Sequence, residues 1–216
     1  MRKALTLAAA STVALLLAGC SSSGKQAQTL APAASSSSPA AVVSASPAFS
    51  LSSELLEVTQ LPAGWSATSS SDDSGGATSC SALNNRPWQT LPERAEADFQ
   101  QSADGPFLAE KLDAGSAAQV SQAWTAFGTA TSTCRSFTAS GGSAQYTLSA
   151  LSFPQYGDET YAFALTVTAS GESAAGDVVV VRKGNTLVQI ITVGVGDGVP
   201  ISMVEQATSA AVAKVR

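Results

Sequence analysis

Histidine is missing from this 216-residue chain, and that absence removes more chemistry than any motif adds. Without imidazole there is no Ser-His-Asp or Cys-His relay and no histidine-ligated metal site. Charge is scarce as well, at 12% of residues, with 11 Lys and Arg against 16 Asp and Glu. Beyond residue 19 only Arg182-Lys183 places two cations side by side. A polyanion partner needs clustered cations to release its counterions, so no nucleic acid is expected as a partner. The chain has no Gly-x-Ser-x-Gly, phosphate loop or calcium loop. With only three cysteines and no Cys-x-x-Cys, redox catalysis and zinc ligation both lack their residues, and no metal or cofactor is implied.

What is present begins with Leu17-Ala18-Gly19-Cys20, a lipobox. Arg2 and Lys3 precede an apolar run from Ala4 to Leu17, broken only by Thr6, Ser11 and Thr12. That is the build of a secretory signal peptide, and the run falls short of the ~20 residues needed to span a bilayer. Residues 1–19 are therefore expected to be removed as a lipoprotein signal peptide. Cys20 is expected to carry thioether-linked diacylglycerol and palmitate-type acylation. The partner implied is the cell membrane, held through that lipid from the extracytoplasmic side. The competing reading is an ordinary signal peptide with a chance cysteine.

Residues 20–50 are almost wholly Ser, Ala, Pro, Gly and Gln, a composition that cannot bury enough apolar surface to order itself. They read as a disordered tether with a reach of roughly 30 Å. Loss of Arg2 and Lys3 leaves nine cations against 16 carboxylates, a formal charge of −7. Residues 51–216 have the length and the 44% hydrophobic content of one domain with a single core. With Cys20 lipidated, Cys80 and Cys134 remain as one pair in an oxidising compartment, and a disulfide is expected between them. Two separate thiols are the rival.

Leu51, Leu55 and Val58 fall at helical spacing and predict a short helix over 51–59, stopped by Leu61-Pro62-Ala63-Gly64-Trp65. Trp65 then anchors a strand. Ser81–Leu91 holds at most a helical turn. Residues 95–102 and 106–112 read as strands about the turn at Asp104-Gly105. Ser116 and Gln119 form a capping box, behind which Val120, Ala123, Trp124, Phe127, Thr131 and Cys134 line one helical face. Gln145–Phe153 and residues 161–168 alternate as half-buried strands. Val178–Val181 and Leu187–Val193 are continuously apolar and read as the central hairpin, turning at Gly184-Asn185. Pro200 opens a last helix lined by Ile201, Val204, Thr208, Ala211 and Val215. The fold class is α+β: an antiparallel sheet of about six strands with helices packed on one face.

The lipobox, the Ser/Pro tether, Leu61-Pro62-Ala63-Gly64-Trp65, the Cys80 and Cys134 pair, and the Val-rich hairpin before a terminal helix together resemble actinobacterial lipoproteins. Those are similar to the extracellular sensor domain of mycobacterial PknH-type receptor kinases. The resemblance covers residues 51–216 and implies a cleft-bearing binding domain. It carries over no functional residue, and the second disulfide common in that sensor family cannot form here.

The function expected is a membrane-anchored lipoprotein with a non-catalytic, ligand-binding or sensor-like domain. Its ligand would be a small molecule, a glycolipid or a cell-wall fragment of the envelope, with unknown contact residues. The alternative is an envelope hydrolase using paired carboxylates, which must face each other across a cleft; the candidates are Glu93, Glu96, Asp98, Glu110, Asp158 and Glu159. Ser22-Ser23-Gly24-Lys25 matches Ser-x-x-Lys but lies in the tether, and Asp72-Asp73 reads as a polar loop. Trp65 and Trp124 are expected in the core. Trp88, among polar neighbours, either covers the core or stacks on a ligand.

Overall fold

The structure, a computed structural model, describes residues 50–69 and 77–216. Cys20, the signal peptide, nearly all of the tether and Asp72-Asp73 lie outside the described residues. Among the described residues eight strands make one sheet: β1 (Ser66–Thr68), β2 (Glu93–Gln100), β3 (Phe107–Ala114), β4 (Ser136–Thr138), β5 (Gln145–Ala150), β6 (Glu159–Ala169), β7 (Glu172–Lys183) and β8 (Thr186–Val195). Helix α1 (Ala117–Thr133) follows β3, and α2 (Ile201–Lys214) follows β8. The strand order is β1-β2-β3-β8-β7-β6-β5-β4, antiparallel throughout. The chain lays down three strands, crosses on α1 to the far edge, and returns until β8 closes against β3.

The helices do not share a face, which corrects the one-sided arrangement expected from the sequence. Leu112, Val179, Val181, Val188 and Ile190 pack with Val204, Ala207 and Ala211 of α2 and with Leu51, Leu56 and Leu61. On the opposite face Phe163, Val180 and Leu187 pack with Val120, Ala123, Trp124 and Phe127 of α1. The central hairpin is continuously apolar because both of its faces are buried, whereas a one-sided sheet would alternate. Its turn at Gly184-Asn185 falls where the sequence places it. Among the described residues the strands number eight rather than about six; the strand after Trp65 is the short β1, and the one the sequence does not signal is β4, also only three residues long.

Helix α1 matches its signals closely. Ser116 Oγ accepts from the Gln119 amide at 3.4 Å, and Gln119 Oε1 accepts from the Ser116 amide at 2.9 Å. All six residues of the expected stripe, from Val120 to Cys134, are buried. The helix expected over 51–59 is instead two 3-10 turns, Leu51–Glu54 and Val58–Gln60. Between them the Leu56 amide donates to Glu110 Oε2 at 2.5 Å, so that N–H is lost to any helical ladder. The 81–91 region likewise breaks into Ser81–Leu83 and Pro87–Gln89. Among the described residues no helix is long and apolar enough to cross a membrane.

Candidate functional site

Strand register places the site. Side chains at alternate positions share a face, so Arg94, Glu96 and Asp98 of β2 project with Phe107, Ala109, Lys111 and Asp113 of β3 and with Gln189, Ile191 and Val193 of β8. This is the α1 side of the sheet. Helix α1 packs over β6, β7 and the near part of β8, leaving the β2-β3-β8 floor without a helix above it. The segment from Thr78 to Leu91 walls that floor. It is fixed at one end by the Thr78 bridge to Ala139 and by the Cys80–Cys134 disulfide, whose Cα atoms stand 6.0 Å apart. At the other end Trp88 packs into α1.

Between wall, helix and floor lies a cavity of about 190 Å³ reached by Arg86, Trp88, Gln89, Arg94, Lys111 and Gln189. Its polar groups hold one another. Arg94 Nε lies 2.6 Å from Asp113 Oδ1, and its Nη1 donates to the Gln89 carbonyl at 3.1 Å. Gln189 Nε2 donates to Asp113 Oδ2 at 2.6 Å. Lys111 Nζ sits 3.0 Å from Glu96 Oε1, and Arg86 Nε donates to the Leu83 carbonyl at 2.8 Å. Asp113 is fully buried. Burial pushes its carboxyl above the ordinary aspartate range, and the Arg94 guanidinium and the Gln189 amide oppose that rise.

A second cavity, about 360 Å³, lies toward the β2–β3 turn and shares Ile191 with the first. Here the floor changes character. Lys111 and Asp113 give way along β3 to Ala109 and Phe107, and Gln189 gives way along β8 to Ile191 and Val193. Phe107 is 40% exposed, unusual for so large an apolar side chain on a strand.

The candidate residues from the sequence scatter. Cys80 and Cys134 are joined. Trp88 is buried and meets Phe127 edge-on, so it belongs to the core while its rim reaches the cavity. Trp65 and Trp124 are also buried. Of the six carboxylates offered by the sequence, only Glu96 and Asp98 share the floor. Glu110 points to the α2 side, where it is fully buried; desolvation raises its pKa to about 7, against the lowering effects of the Leu56 amide and Lys214. Asp158 and Glu159 flank Arg182 at 3.6 and 2.6 Å at the β7–β8 turn. Sequence reasoning missed Arg94, Lys111, Asp113 and Gln189. Their signal was available: in a chain 12% charged, β2 and β3 carry opposite charges at alternate positions, and Gln189 interrupts an apolar run.

No family model matches the chain, and no curated protein matches it in sequence. Among solved structures, the crystal structure of the extracellular domain of PknH from Mycobacterium tuberculosis matches with a TM-score of 0.49 at 12% identity. The match covers 74% of this chain and 90% of that one.

Proposed function

We propose that this chain is a lipoprotein held to the outer side of the cytoplasmic membrane by lipid on Cys20. Its domain, residues 51–216, binds an envelope ligand in the α1-side cleft and releases it unchanged. The observation carrying this reading is the cleft itself. Its wall is clipped by a disulfide to the end of α1, and its floor holds polar side chains already oriented by mutual bonds. Preformed concave sites with a few placed polar groups are the usual form of small-ligand sites. The lipobox supplies the anchor, and the oxidised cysteine pair suits an exported compartment.

The experiment has two arms. Cys20→Ala is expected to release the protein from the membrane fraction and to abolish uptake of labelled fatty acid. Retention of the variant on membranes, with no label in the wild type, refutes the anchor. Mature protein screened against cell-wall fragments, glycolipids and small envelope metabolites is expected to show a thermal shift with a ligand recovered intact. Turnover that disappears in Glu96→Gln or Asp98→Asn would establish the hydrolase alternative in its place.

A further inference from the structure

We infer that the cleft selects an amphiphile with a hydroxyl-rich, uncharged head and a single hydrocarbon chain, an inference that rests on the binding role proposed above. The head position follows from the charge balance. Arg94 and Lys111 each already face a carboxylate, Asp113 at 2.6 Å and Glu96 at 3.0 Å, and Arg86, the third cation of the cavity, donates to the Leu83 carbonyl at 2.8 Å. An anionic head would have to compete with those carboxylates, and a cationic head with the guanidinium and ammonium. A sugar-like hydroxyl both donates and accepts. It can bond to either member of a pair without separating the charges.

The tail position follows from the register. Moving from Lys111 to Phe107 crosses two further rows of the same face, about 13 Å along the strand, and the floor turns apolar over that distance. The open apolar strip runs along β3 and β8, through Ala109, Phe107, Ile191 and Val193; Asp98 and Gln100 border it on β2, and on β7 Val178 packs with the α1 cluster. Adjacent strands stand about 4.8 Å apart, which is the width of one hydrocarbon chain rather than two. Ile191 lines both cavities, so head and tail positions are contiguous. Phe107, left 40% exposed, presents apolar surface on which a chain can lie.

The test uses mature protein with the disulfide intact and Cys20→Ser in place of the lipidated residue. Octyl glucoside below its micelle concentration, glucose, octanoate and octyltrimethylammonium are titrated by calorimetry. Octyl glucoside is expected to bind at least tenfold more tightly than each of the others. Phe107→Asp should weaken it about tenfold and leave glucose binding unchanged, while Gln89→Ala should weaken both. Phe107 and Gln89 are partly exposed, and matching unfolding curves confirm that the variants fold. If octanoate or octyltrimethylammonium binds as tightly as the glucoside, the uncharged head is wrong and the binding role stands. If glucose equals the glucoside and Phe107→Asp is silent, the tail is wrong. If every titrant fails while a cell-wall fragment binds, the ligand class falls alone; if the fragments fail too, the binding role falls with it.

Discussion

Trp88 meets Phe127 edge to face, their ring centroids 5.3 Å apart at an interplanar angle of 85°. Trp88 sits on a 3-10 turn of the wall and Phe127 on α1, so this contact, with the disulfide, sets how far the wall stands from the helix. Trp88 is 6% exposed. Trp88→Ala is expected to cost about 3–5 kcal/mol, the range for emptying a large buried aromatic site. Trp88→Phe should cost less. Urea unfolding checks both, and a loss below about 1 kcal/mol would mean that the turn packs without its anchor.

The disulfide has a thermodynamic consequence of its own. Cys80 and Cys134 are 54 residues apart, and cross-linking a loop of that size removes unfolded-chain entropy worth about 4 kcal/mol. Replacing both with Ala should lower stability by about that amount. It should also loosen the Thr78–Leu91 wall, seen as faster amide exchange there than in β7 and β8. Peptide mapping without reductant should recover the two cysteines linked.

Glu110 gives the protein a pH dependence with a defined sign. Below pH 4.5 its carboxyl is protonated in both the folded and the unfolded chain. Between 4.5 and about 7 the unfolded chain gives up the proton while the folded chain keeps it. Stability therefore falls as pH rises through that window, by about 3 kcal/mol for this group. Burial raises Asp113 and Asp177 in the same direction. Glu110→Gln keeps an oxygen for the Leu56 amide and removes the titration. The wild type should thus be more stable at pH 5 than at pH 8, and the variant should show a smaller difference. An unchanged difference would place the titration elsewhere.

Much of the fold was legible because its signals are local. The Ser116–Gln119 box, the α1 stripe, the Gly184-Asn185 turn and Pro200 each act through neighbours within a few residues. The two-layered covering was also written in the chain, in the unbroken run Val178–Val181, yet its meaning depends on where the helices go. Sequence order hides that, because α1 precedes β4 while packing against β6 and β7. The 51–59 segment defeated periodicity for a different reason: Glu110, 54 positions from Leu56, captures its amide. The site was least legible. Asp113 and Gln189 meet across 76 positions, and only the return of β8 to β3 brings them together. Trp88 drew notice by its polar neighbours, and packing rather than those neighbours decided its place.

On this reading the cleft holds an envelope ligand and does not transform it, which native mass spectrometry of the mature protein tests after incubation with an extract of its own envelope. Wild type should retain a species at one per chain, released with its mass unchanged from that in the extract. Phe107→Asp, which places a charge on the apolar floor, should retain much less. A wild-type protein that emerges bare, or that returns the bound species cleaved, would contradict the account.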